Sequence, residues 1–210
     1  MDNIIAALEC NDRVTYIQLD DFTESQLKEL SEAMQEPFPE LLNLWLWSTY
    51  KPAPVIPVPD SFLGGSAPGL RFLQLGRIPF PGLPKLLSSA THLSELGIYD
   101  IPHSGYFSPE ALVTALSTLT SLKMFFLEFN SPRSCPDPER RRSPPLTRSV
   151  LPSPFLFQFR GVSEYLEDLV TRINTPRLDF VRVTFFNQII FEIPRLVHFH
   201  LSQSKFEGAR

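Results

Sequence analysis

Cysteine is almost missing from this chain. Only Cys10 and Cys135 occur in 210 residues, too few for a disulfide framework and at a spacing that fits no zinc motif. A reducing compartment, cytoplasmic or nuclear, follows as the expected home. There is no Asn-x-Ser/Thr sequon and no run of about 18 uninterrupted apolar residues, so no membrane span is expected. The first ten residues carry Asp2 and Glu9 without a basic flank, which excludes a secretory signal from that stretch. Positive charge is not in excess either. A net charge of −4 and a pI near 5.6 give no general attraction to nucleic acid or to an anionic membrane.

The motifs of chemistry are missing as well. No Gly-x-Ser-x-Gly elbow and no His-Glu-x-x-His occurs. The stretch Gly64-Gly65-Ser66-Ala67-Pro68-Gly69 lacks the Lys-Ser/Thr of a phosphate loop and reads as a turn. His198 and His200 alternate on one strand, but a metal site needs a third ligand and the pattern supplies none. Neither cysteine has a partnering base. The sequence therefore predicts no catalytic residue, no metal and no cofactor: a protein that is not an enzyme.

Proline is abundant, at 21 residues. A packed helical bundle would not tolerate that density, since an interior proline costs about 3 kcal/mol. Short elements joined by many turns would. With 43% hydrophobic and 20% charged residues, the composition is that of a folded chain rather than a disordered one.

One apolar pattern recurs through those turns. Apolar residues stand at positions one, four and six of a short unit: Val14/Ile17/Leu19, Leu41/Leu44/Leu46, Leu70/Leu73/Leu75, Leu93/Leu96/Ile98, Leu122/Phe125/Leu127, Leu178/Val181/Val183 and Leu196/Phe199/Leu201. Pro154/Phe157/Phe159 fits with a degraded first position. These are eight copies with a mean step of about 26 residues, within the leucine-rich-repeat range. The expected fold is α/β: an irregular leucine-rich-repeat solenoid, with a curved parallel sheet on the concave face and short helices on the convex face. It forms a single domain over 1–210.

The helices are legible from their punctuation. Residues 2–9 read as a short helix. Thr23 with Gln26 makes a capping box ahead of Leu27, Leu30 and Met34. Leu83, Leu86, Leu87 and Ala90 mark a third helix, and Ser108-Pro109-Glu110 starts a fourth. A further helix is predicted over 164–174. Between Lys51 and Pro59 four prolines impose an extended, polyproline-like return. Residues 131–149 have no apolar period and are read as a mobile insertion. Five arginines face two acids between 133 and 148, and Arg140-Arg141-Arg142-Ser143-Pro144-Pro145 makes Ser143 a candidate phosphosite.

In a strand, positions three, five and seven face away from one, four and six. Those columns hold Trp45, Trp47, Phe72, Tyr99, Met124, Phe126, Phe180 and Arg182. Clustered exposed aromatics mark interaction sites, and Trp and Tyr are favoured as anchors. These eight residues are the candidate partner-binding set on the concave face, and the expected partner is a protein of unknown identity. Two other arrangements fit the same columns. Terminal helices or the insertion could cover the face, and a one-residue slip in register would exchange inside for outside.

The copies are irregular, lack a fixed Asn and return through short helices, which resembles the leucine-rich repeats of F-box proteins. Met34-Gln-Glu-Pro-Phe-Pro-Glu-Leu, Asp60-Ser-Phe-Leu-Gly-Gly-Ser-Ala-Pro and Gly161-Val-Ser-Glu-Tyr-Leu-Glu-Asp-Leu look like the F-box-like proteins expanded in basidiomycete fungi. The likeness covers about residues 10–206. It implies a protein–protein interaction module, the substrate-recognition arm of an F-box-type ubiquitin ligase receptor. In that family an F-box segment before the repeats docks a cullin-ligase adaptor. Ahead of Val14 only a half repeat is present, so adaptor binding is expected only if an F-box lies upstream. The alternative expectation is a truncated paralogue or partial gene product with no independent function.

Overall fold

The computed structural model describes residues 2–49, 56–132 and 148–186. In chain order the helices are α1 (Asp2–Leu8), α2 (Glu24–Ala33), α3 (Leu83–Leu87), α4 (Pro109–Leu116) and α5 (Ser163–Arg172). The strands are β1 (Tyr16–Asp20), β2 (Asn43–Trp47), β3 (Phe72–Gly76), β4 (Glu95–Ile101), β5 (Met124–Phe129), β6 (Ser149–Val150), β7 (Leu156–Gly161), β8 (Ile173–Asn174) and β9 (Phe180–Phe185). Seven strands form one parallel sheet in the order β1-β2-β3-β4-β5-β7-β9. Each crossover therefore leads to the neighbouring strand, apart from the short β6 and β8, which pair with each other. Among the described residues no helix is long and apolar enough to cross a membrane.

Local chemistry explains why each unit folds alike. The apolar residue at position one ends a turn before the strand: Leu41, Leu70, Leu93, Leu122 and Leu178 each donate a backbone N–H to the carbonyl three residues back. Position two then supplies a shared acceptor. The carbonyls of Thr15, Leu42, Arg71, Ser94, Lys123 and Phe155 each take two N–H groups from positions two and three of the next unit. Leu42 and Asn43 donate to Thr15, for instance, and Asp179 and Phe180 to Phe155. The chain also turns off the strand in a recurring way. Asp21, Arg77 and Asp100, all at position eight, have positive φ of 59°, 59° and 50°, a conformation uncommon outside glycine.

Register follows the apolar pattern, with one shift after Ile98, where β4 has an extra residue before Ile101 pairs with Phe129 of β5. Ile17, Leu44, Leu73, Leu96, Phe125, Phe157 and Val181 stand in one row across the sheet. All but Val181 are buried, and Val181 is half-buried at the last described strand. This side packs on the helices in one core: Leu27, Leu30 and Met34 after the capping box, Leu86 and Leu87, Leu112 and Leu116, Leu166 and Leu169. Helices of successive units touch, α3 with α4 and α4 with α5. Toward β7 the core changes from leucine to aromatic. Phe125 stacks on Phe157 at 5.2 Å, Phe129 meets Tyr165 at 4.7 Å, and the Tyr165 hydroxyl donates to the Phe107 carbonyl.

The helix starts agree with the sequence signals. Thr23 and Gln26 form the reciprocal capping box, and Ser108 caps the helix opened by Pro109. Two expectations need correction. The helix predicted over 164–174 ends at Arg172, because Ile173 and Asn174 extend into β8. Ser149, assigned to the insertion, pairs with Ile173 in β6, and Leu151 beyond it is buried in the core. A two-residue strand that begins with a polar serine has no apolar period to reveal it. Ser143 and the Arg140–Arg142 run lie outside the described residues, as do Cys135, His198, His200 and the eighth unit from Leu196.

Candidate functional site

The other face of the seven-stranded sheet is built from positions three, five and seven. Tyr16, Trp45, Phe72 and Phe180 are exposed there. The eight residues singled out from sequence all lie on this face, at the rows that the strand alternation assigns to them.

Four of the eight form a continuous run of rings. Trp45 and Trp47 are 6.4 Å apart between centroids, Trp47 and Tyr99 5.3 Å, and Tyr99 and Phe126 5.8 Å. The middle contact crosses an entire strand. β2 and β4 are two strand spacings apart, about 9.6 Å, with β3 between them. The rings close that gap because the residue between Trp47 and Tyr99 in their row is Gly76. A methyl group added at Gly76 would meet the Trp47 indole well inside contact distance, with Cε2 at 2.8 Å and two ring carbons nearer still. Gly97 plays the same part for Tyr99, whose Cε2 and hydroxyl would lie 2.6 and 2.9 Å from an added Cβ. Both glycines are buried beneath the rings, and Trp47 and Tyr99 are consequently half-buried rather than fully outward.

The remaining four predicted residues frame this run. Phe72 lies in the row between Asn43 and Glu95, and Met124 between Glu95 and Leu156. Phe180 stands on β9, where the Arg182 guanidinium sits 5.8 Å from its ring centre. Arg160 makes the equivalent contact with Phe186 at 5.6 Å.

Polar side chains tie the strands together around the rings. Gln74 donates to Glu95 and Gln158 to Glu128, both at 2.6 Å. Arg160 bridges Asp100 at 3.5 Å and Glu128 at 4.0 Å. Tyr16 donates to Gln18, which donates in turn to Asp20. Burial pushes the Tyr99 phenol up to about 12, and the carboxylates of Glu95 and Glu128 add to the rise. Its hydroxyl therefore stays protonated at neutral pH, leaning back over Gly97.

The aromatic members were visible in the sequence columns; their seats were not. A glycine in an outward column between aromatic columns was the available signal, and Gly76 and Gly97 both carry it. The Gln–carboxylate pairs are diagonal neighbours on adjacent strands, which only the register reveals. Among the described residues no group of three His, Cys, Asp or Glu side chains could hold a metal ion. Comparison with family models, with curated proteins and with solved structures finds no match.

Proposed function

We propose that this chain is a leucine-rich-repeat solenoid serving as a non-enzymatic protein-interaction module, with the aromatic face of its sheet, the concave side of such a solenoid, as the binding surface. The repeat reading is supported by the recurring turn and shared-carbonyl hydrogen bonds at positions one and two. The binding reading rests on one observation: the uninterrupted ring run Trp45–Trp47–Tyr99–Phe126 on a sheet face that also exposes Tyr16 and Phe72. Rigid aromatic side chains, pre-positioned on strands, offer contact area at little entropic cost, and such residues dominate protein interfaces. In an F-box context the module is the substrate-recognition arm of a ubiquitin ligase receptor, acting in the cytoplasm or nucleus. Adaptor docking is assigned to no residue of this chain.

Selection from a random peptide-display library on the immobilised protein tests this, with Trp45→Ala as the counter-screen. The proposal expects binders that wild type retains and Trp45→Ala does not. A selection yielding only binders indifferent to Trp45→Ala refutes it.

A further inference from the structure

The aromatic face is electrostatically one-sided. The outward positions of β1 to β5 contain Asp20, Glu95 and Glu128 and no Lys, Arg or His. The cations of this face, Arg160 and Arg182, stand on β7 and β9, and Arg160 is already engaged by Asp100 and Glu128. Among the described residues, Asp20 and Glu95 are matched by the neutral amides of Gln18 and Gln74. A run of aromatic faces, each a negative π surface, thus lies beside two carboxylates, Asp20 and Glu95, that form no ion pair among the described residues.

We propose that the occupant of this face is an extended peptide segment carrying arginine, whose guanidinium lies against the Trp47–Tyr99 rings with its charge facing Glu95. The proposal rests on the interaction reading above and names the partner's chemistry. A guanidinium is planar, stacks on aromatic rings, and pairs bidentately with a carboxylate. An ammonium ion lacks that planar match. The molecule already uses this pairing at the other end of the same face, where Arg160 lies over Phe186 and Arg182 over Phe180. The phenol of Tyr99, held protonated by burial and by Glu95 and Glu128, reports the same negative surroundings. From β1 to β5 the face spans four strand spacings, about 19 Å, a length covered by roughly six extended residues.

The test uses the full chain and four synthetic nonapeptides, each three repeats of Gly-Ser-X with X as arginine, citrulline, lysine or glutamate. Titration is followed by tryptophan fluorescence at physiological salt. The arginine peptide is expected to saturate the signal and to bind at least tenfold more tightly than the citrulline and lysine peptides, with no binding by the glutamate peptide. Glu95→Gln should weaken the arginine peptide about tenfold, whereas Glu29→Gln, an equal change of charge on exposed α2, should not. No binding by the arginine peptide, equal binding by arginine and citrulline or by arginine and lysine, or equal weakening by the two Glu→Gln variants overturns the proposal. Binding that appears only when Arg140, Arg141 and Arg142 are all replaced by Ser makes the chain's own basic segment the occupant, and overturns the assignment to a separate partner. The broader reading fails separately. Display binders that need Trp45 but carry no arginine sink this inference and leave the interaction module standing; an absence of Trp45-dependent binders sinks both.

Discussion

Replacing Gly76 by Ala tests how the aromatic run is assembled. The backbone at Gly76 does not have a left-handed φ, so alanine is tolerated and even gains about 0.5–1 kcal/mol over glycine within a strand. The added methyl, however, would occupy space now filled by the Trp47 indole, whose Cε2 would be 2.8 Å away against an ordinary contact of 3.4–4 Å. The indole stands on an open face and can swing outward, so no core cavity or backbone shift follows. What is lost is the contact of Trp47 with Tyr99 and with Trp45, each pair being worth roughly 0.5–1.5 kcal/mol. The net expectation is a destabilisation between near zero and about 2.5 kcal/mol, read from urea unfolding. Near-ultraviolet circular dichroism should change strongly, because the coupled indole and phenol rings separate. Affinity for any ligand of the face should fall about tenfold or more, out of proportion to the stability change. An unchanged near-ultraviolet spectrum with unchanged binding would refute the reasoning, since Trp47 could not then be seated on Gly76.

Other outcomes follow from the same geometry. Leu44, beside Trp45 in sequence but fully buried on the opposite face, should lose about 2–5 kcal/mol on change to Ala, measurable as a lower urea midpoint. The Tyr99 phenol should titrate near pH 12 by its ring-carbon resonance, and Glu95→Gln should lower that value while burial keeps it above the ordinary one. Because the folded value is raised, the stability this group contributes is complete below about pH 10 and is lost as pH climbs toward 12. Half-exposure of the ring limits the effect to roughly 1 kcal/mol, and Tyr99→Phe should remove that part of the alkaline loss.

Much of this architecture was readable because one requirement repeats. Each unit must bury positions one, four and six, so Leu44, Leu73, Leu96 and Phe125 announce both the strand and its register. The outward columns follow by alternation, and Trp45, Trp47, Tyr99 and Phe126 share the face assigned to them. What sequence did not disclose depends on distances between units. Tyr99 reaches Trp47 across β3 only because Gly76 leaves room, and neither residue is near the other in the chain. The β6–β8 pair, two residues on each side, is too short to show any period. Asp100 adopts a left-handed turn and meets Arg160 through tertiary placement alone.

The central claim is that the open sheet face, through its aromatic run, does the binding. Its most direct test is the affinity of a library-selected peptide for wild type and for Trp45→Ala, in samples whose urea midpoints agree. Trp45 is exposed, so its loss should leave the fold intact while weakening binding by at least about 2 kcal/mol, near thirtyfold. Equal affinity for the two proteins, across independently selected peptides, would contradict the account.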